Sequence, residues 1–194
     1  THVVVMGTGE PFDNYDEVMH FIRIINHPKG LAIGARHLTI STCGLVDKIK
    51  QYASEGIQTN LAISLHAPND EIRNELMPIN KKYPMDILRD AMQYYIEKTN
   101  RRITLEYILL KGVNDQLTHA RQLAHYARGL NVYVNLIPYN AVDEHGYQQT
   151  GYDQAEAFKN ELLRLKINTT LRKEHGRDID GACGQLRAKK VGGA

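Results

Sequence analysis

The feature that most constrains this chain is an alternation: short runs of strand-forming residues are separated by longer stretches of helical period, from one end to the other. Val, Ile, Leu and Thr enrich the runs at Val3 to Met6, His37 to Ser41, Asn60 to Leu65, Ile103 to Leu109 and Val132 to Ile137, with a further extended piece at Thr169 to Arg172. Helical period fits Tyr15 to Asn26, Val46 to Ser54, Asp70 to Leu76, Met85 to Thr99, Asp115 to Arg128 and Tyr152 to Leu165. A strand followed by a helix, repeated, returns each strand parallel to the last, so the fold class is α/β around a parallel sheet. No internal repeat, low-complexity tract or linker interrupts the pattern.

With 194 residues, of which 42% are hydrophobic and 24% charged, the chain can bury one sizeable core and is neither disordered nor membrane-spanning in composition. Its two cysteines, Cys43 and Cys183, lie far apart and no secretory signal pattern opens the sequence. That usage predicts a reducing, cytoplasmic setting and no membrane association. The net charge of +2 is too small to assign nucleic-acid binding, although eight Lys or Arg against three acids crowd Arg164 to Lys190. The first residue is Thr1, and the sequence enters a strand at once. A strand with nothing before it predicts a fragment with an exposed sheet edge at Val3 to Met6.

In parallel α/β folds the loops that leave the strand C-termini converge on one side and build the site. Here they are Gly7-Thr-Gly-Glu-Pro11, Ser41-Thr-Cys-Gly44, Ser64-Leu-His-Ala-Pro68, Lys111-Gly-Val-Asn-Asp115 and Pro138-Tyr-Asn140. They are expected to gather Glu10, Ser41, Ser64, His66 and Asn140 around one mouth. Taken singly, each residue is equally compatible with a structural role: a turn glycine pair, a strand-end hydroxyl, a satisfied histidine, a turn asparagine. The glycines before Glu10 are not a dinucleotide fingerprint, since Asn14 stands where the third glycine would fall. The sequence has no His-Glu-x-x-His pair, Cys-x-x-Cys, Gly-x-Ser-x-Gly elbow or Walker loop, so no protein-only metal site is expected. Cys183 sits among small residues in Gly181-Ala-Cys-Gly184, with Arg172, Lys173, Arg177 and Arg187 near in sequence to favour its thiolate.

Seven ordered segments carry a resemblance. They are Met6-Gly-Thr-Gly-Glu-Pro11, Ser41-Thr-Cys-Gly44, Ser64-Leu-His-Ala-Pro-Asn-Asp70, Met77-Pro-Ile-Asn80, Gly112-Val-Asn-Asp115, Asn135-Leu-Ile-Pro-Tyr-Asn140 and Asp178-Ile-Asp-Gly-Ala-Cys-Gly-Gln-Leu186. On these, nearly the whole chain resembles the radical S-adenosylmethionine (SAM) RNA methyltransferases of the RlmN and Cfr type, and is closest to the RlmN branch. The resemblance implies a partial, TIM-like parallel (β/α) barrel without its first strand. Residues 1–140 would be the barrel core and residues 141–194 a C-terminal extension that completes it and bears the methyl-carrying cysteine.

It further implies SAM as cofactor, contacted by Gly9, Glu10, Ser41, Ser64, Leu65, His66 and Asn140, and a [4Fe-4S] cluster in the full-length protein. The implied reaction methylates C2 of adenosine in 23S rRNA and tRNA, with Cys183 as catalytic methyl carrier, a reducing electron donor as partner, and a monomeric full-length enzyme. The Cys-x-x-x-Cys-x-x-Cys cluster ligands are absent from the sequence, and by the family layout would precede Thr1, so the fragment is expected to be inactive alone. Cys43 stands where the family has serine and is assigned to packing; Gly181 replaces an alanine. Two other readings remain: a metal-free barrel lyase or aldolase using Glu10 or His66 as acid or base with Lys111 as amine, and a non-catalytic nucleotide- or RNA-binding module.

Overall fold

The structure, a computed structural model, describes residues 2–7, 9–140 and 146–172. Six strands form one sheet: β1 (Val3–Val5), β2 (Leu38–Thr42), β3 (Asn60–Ser64), β4 (Ile103–Leu109), β5 (Val132–Pro138) and β6 (Thr169–Leu171). They lie side by side in chain order, every neighbouring pair parallel. The helices between them are α1 (Tyr15–Asn26), α2 (Val46–Ala53), α3 (Asp70–Leu76), α4 (Met85–Thr99), α5 (Leu117–Ala127) and α6 (Tyr152–Arg164). An unbroken strand order of this kind is what successive right-handed strand-helix units produce, as in a (β/α) barrel. Among the described residues β1 and β6 are the outer strands, and Val4 on β1 is 53% exposed.

The two faces of the sheet differ in chemistry. Leu38 and Ile40, Leu61 and Ile63, Leu105 and Tyr107, and Val134 and Leu136 share one continuous core with helix residues such as Ile22, Ile49, Leu88, Leu123 and Phe158. The residues between them point the other way: Ser41 on β2, Ser64 on β3, Glu106 on β4 and Asn135 on β5. Ser64, Glu106 and Asn135 are aligned across three strands. A buried parallel sheet is normally apolar on both sides, so this polar row marks a face built to meet something polar.

Strand and helix bounds follow the sequence pattern closely, with one instructive exception. α5 begins at Leu117, not Asp115, because the Asp115 carboxylate is committed to the preceding loop. It accepts from the Gly112 N–H at 3.0 Å and from the Thr150 hydroxyl at 3.0 Å. Asn69 does cap α3 as its residue type suggests, its side chain accepting from the Ile72 N–H. Three short 3₁₀ turns, Pro11–Asn14, Ala35–His37 and Pro78–Lys81, escape helical periodicity because one turn is too short to show it.

Candidate functional site

At the C-terminal ends of β1, β2 and β3 lies a cavity of about 250 Å³, lined by ten residues that include Gly9, Glu10, Ser41, Cys43, Ser64 and His66. Met6 and Met77 add thioether surface to it. Each lining loop is held by a bond that reaches across to another loop.

Glu10 joins the first two. Its carboxylate accepts from the Phe12 N–H at 3.0 Å, capping the turn Pro11–Asn14, and from the Cys43 N–H at 2.7 Å. The glutamate of the Gly-Glu-Pro segment is therefore a bracket between the β1 and β2 loops as well as a wall of the cavity. Beside it, burial and the Glu10 carboxylate push the Cys43 thiol up to about 12, so Cys43 is a thiol and not a nucleophile at neutral pH. Gly44 follows at φ +107°, and a Cβ there would stand 3.2 Å from the Leu88 side chain and 3.3 Å from the Arg73 guanidinium. Only glycine satisfies both conditions.

The third loop is anchored from β4. The Leu65 and His66 N–H groups both donate to the Glu106 carbonyl, at 3.0 and 3.2 Å. His66 takes φ +56°, a strained value for a residue with a side chain. Asn114, fully buried, keeps it there: its amide donates to the His66 and Ile108 carbonyls, both at 2.8 Å, while its oxygen accepts from the Leu110 N–H at 2.8 Å. The Gly112-Val-Asn-Asp115 segment thus serves the site from below.

The expected site residues divide accordingly. Gly9, Glu10, Ser41, Ser64 and His66 line the one cavity. Leu65 is fully buried beneath it in the core and does not line it. Asn140 is exposed past the end of β5 and is not among the lining residues. Two strand spacings, about 10 Å, separate the β3 and β5 loops, so Asn140 and His66 can meet one ligand only if it is elongated. Cys183 lies outside the described residues.

Sequence reasoning missed Arg73. No part of it is exposed, yet among the described residues it makes no ion pair. Its guanidinium donates instead to the carbonyls of Cys43 at 2.7 Å, Leu65 at 3.3 Å and Ser64 at 3.4 Å, and to the Asn80 side chain at 2.9 Å. A fixed fork of five N–H donors suits several carbonyls at once, which is why arginine and not lysine fills this place. The signal available was Asn80 in Met77-Pro-Ile-Asn80, a polar residue with no evident role in a turn. It is buried and bonds Arg73, Asp70 and Asn74.

The polar row adds Glu106, buried on β4, whose carboxyl is raised by desolvation and partly restored by a bond to Asn135 and the charge of Arg172. Lys111, by contrast, is exposed, which leaves the lyase reading without an amine in the cavity.

Comparison with known proteins bears on this geometry. The sequence profile of the radical SAM superfamily matches residues 1–124. Two curated relatives carry the name "Probable dual-specificity RNA methyltransferase RlmN". That of Geobacillus kaustophilus is 61% identical over 97% of this chain and 52% of its own length, and that of Spiroplasma citri 61% over 99% and 55%. A crystal structure of a radical SAM methyltransferase from Sphaerobacter thermophilus is 43% identical and superposes with a TM-score of 0.92, covering 95% of this chain and 54% of that one. A domain of a pyruvate-formate lyase-activating enzyme from Bacteroides vulgatus, 14% identical with a TM-score of 0.65, shares the fold alone. The chain spans about half the length of the curated relatives it matches.

Proposed function

This chain belongs to the radical SAM superfamily, and on that premise we propose that it supplies the SAM-binding barrel and the methyl-carrying loop of an RNA methyltransferase that acts on adenosine C2 in 23S rRNA and tRNA. The observation that carries the reading is the cavity at the strand ends, where Gly9, Glu10, Ser41, Ser64 and His66 converge. The relatives' printed name supports the RNA substrate class.

The residues present fit SAM. Among the described residues beyond its chain neighbours, no heavy atom lies within 4 Å of where a Gly9 Cβ would stand, so a ligand can approach its backbone closely. A carboxylate offers about four acceptor positions, and Glu10 uses two on backbone N–H groups, leaving the others for a ligand ammonium. Ser41 and Ser64, at the ends of β2 and β3, line the same cavity and carry hydroxyls that can hydrogen-bond a ligand. About 250 Å³ is below the ~300–1,000 Å³ of sites that enclose a whole ligand, so the cavity suits one part of an elongated molecule. Asn140, on the loop two strand spacings away, is the residue we assign to another part of the same ligand.

The iron-sulfur cluster does not fit what is described: no group of three His, Cys, Asp or Glu among the described residues can hold a metal ion. No step is therefore routed through it. When bound, SAM supplies the methyl group and the radical-forming chemistry that an electron-poor adenine C2 requires. The chain's own part is to hold that cofactor by the loops above, exclude water with Met6 and Met77, and carry the methyl carbon on the Cys183 sulfur. Cys43 does not compete, since its thiol stays protonated.

The test is Cys183→Ala in the full-length enzyme. RNA methylation is lost while SAM affinity stays within about twofold, because Cys183 is outside the proposed cofactor contacts; Asn140→Ala weakens SAM binding instead. Persistent methylation of adenosine C2 by Cys183→Ala would refute the carrier role.

A further inference from the structure

In a parallel sheet every strand begins on the same side, so the connectors that run from a helix into the next strand gather opposite the cavity. Here they are residues 27–37, 54–59, 100–102, 128–131 and 165–168. They carry Lys29, Arg36, Arg101, Arg102, Arg128 and Lys166 against one acid, Glu55. That is +5 in a chain whose net charge is +2, so the remainder is net negative. The connectors leaving β1 to β4 reverse the sign, with Glu10, Asp13 and Asp115 against Lys111.

This positive charge is not neutralised within the fold. Among the described residues the four ion pairs use Arg23, Arg121, Lys159 and Arg164, and none of the six cations. Glu55 is already engaged by the Tyr15 hydroxyl and by Arg23. Five of the six cations are exposed, and the sixth, Arg101, is half-buried. Arg101 donates to the Asn60 side chain, while its buried Nε–H has no acceptor among the described residues. Arg102 beside it lies 4.7 Å over the Tyr133 ring. Two guanidinium groups anchored in this way have lost much of their freedom before any partner arrives. A cation in the last turn of a helix also steadies the helix dipole, but that effect fades within the turn. It does not reach Arg36, on the 3₁₀ turn before β2, or Arg101 and Arg102, beyond the α4 cap Asn100.

We propose that the strand-entry side of the sheet is a second RNA contact, which binds phosphates of the substrate away from the cavity. The choice of RNA over another polyanion rests on the function proposed above. From β2 to β6 is four strand spacings, about 19 Å, and one strand of a nucleic-acid duplex presents about five phosphates over that length. β4, seven residues long, separates the two sides of the sheet by about 23 Å, so only an RNA of some size engages both. Phosphate contacts carry no sequence information, and the choice of nucleotide stays with the cavity.

The test is made in the full-length enzyme, with an unmodified tRNA transcript and an oligouridylate of about 20 nucleotides as probes. Arg36→Gln, Arg102→Gln and Lys166→Gln combined remove three phosphate contacts. The slope of log affinity against log salt falls by about 2–3, and both RNAs bind at least roughly tenfold more weakly at about 0.15 M salt. Arg36→Gln alone, at an exposed position, lowers the slope by about 0.8. SAM affinity stays within about twofold, because none of these residues lines the cavity. Lys48→Gln, Lys50→Gln and Lys159→Gln remove the same charge from α2 and α6 and move the slope by less than about 0.5.

An unchanged slope in the first set, or an equal fall in the second, would overturn the proposal. So would loss of binding to phosphatidylglycerol vesicles with RNA binding intact, which would assign this side to a membrane surface. Oligouridylate held through these residues by an enzyme that methylates no adenosine leaves the surface standing and counts against the proposed function alone. Methylation that persists with the salt slope unaltered does the reverse.

Discussion

Replacing Asn114 with alanine removes three hydrogen bonds at a fully buried position, each 2.8 Å long and each to backbone. Among the described residues no other side chain supplies those partners, so the His66 and Ile108 carbonyls and the Leu110 N–H lose them together. A buried polar group left unsatisfied costs about 1–3 kcal/mol. The Leu110 N–H is the worst placed of the three, because a carbonyl has a second lone pair and the His66 carbonyl lies nearest the open cavity. A sum of about 4 kcal/mol results, a large part of the ~5–15 kcal/mol that holds a domain together. With a urea slope of about 2.5 kcal/mol per molar, the unfolding midpoint falls by roughly 1.5 M at unchanged slope. Asn114→Asp is no rescue: it keeps the acceptor for Leu110 but turns a second oxygen against two carbonyls. Urea titration followed by circular dichroism measures both variants. A midpoint shift below about 0.4 M for Asn114→Ala would refute the reasoning, since it would mean that the three backbone groups find other partners at little expense.

Gly44→Ala combines a positive φ with contacts at 3.2 and 3.3 Å, and thermal unfolding should show a loss of about 2 kcal/mol, where Gly9→Ala, in open space, loses far less. Peptide-resolved iodoacetamide labelling at pH 8 should find Cys43 at least roughly 100-fold slower than free cysteine, and faster in Glu10→Gln, which removes the charge that suppresses its thiolate. Acid titration should expose His66: its pKa is about 4 folded and 6.5 ordinarily, so the unfolded state takes up the proton first. The stability it confers is whole above about pH 6.5 and lost as pH falls toward 4, by about 3 kcal/mol at most, and His66→Gln should lack that component in denaturant titrations at each pH.

The strands and longer helices were legible because their periods repeat over several residues, and α4 (Met85–Thr99) shows this end to end. Convergence of Gly9, Glu10, Ser41, Ser64 and His66 was legible too, since strand C-termini must share one side of a parallel sheet. What stayed hidden was which polar residue faces a ligand and which faces protein. Asp115 reads as a helix cap yet serves Gly112 and Thr150. Asn114 reads as a turn former yet is among the most buried polar residues. Arg73 lies on a short, acidic-looking helix where any charged side chain reads as solvated, and only the three-dimensional meeting of four acceptors explains its burial. Sequence period reports which face an element turns inward. It does not report whether a polar group on that face will find partners, because those partners come from loops distant in the chain.

Among the described residues β1 has a partner strand on one side alone, and its other side is also an address. Val3, Val4 and Val5 pair with Leu38, Thr39 and Ile40 on one side, and their other side offers backbone donors and acceptors at fixed spacing. Any strand that settles there in parallel is told by that spacing which of its residues face the polar side, and its C-terminal end arrives about 5 Å from the segment leading into Gly7. Whatever follows such a strand would therefore be delivered to the rim of the cavity without a recognition surface of its own.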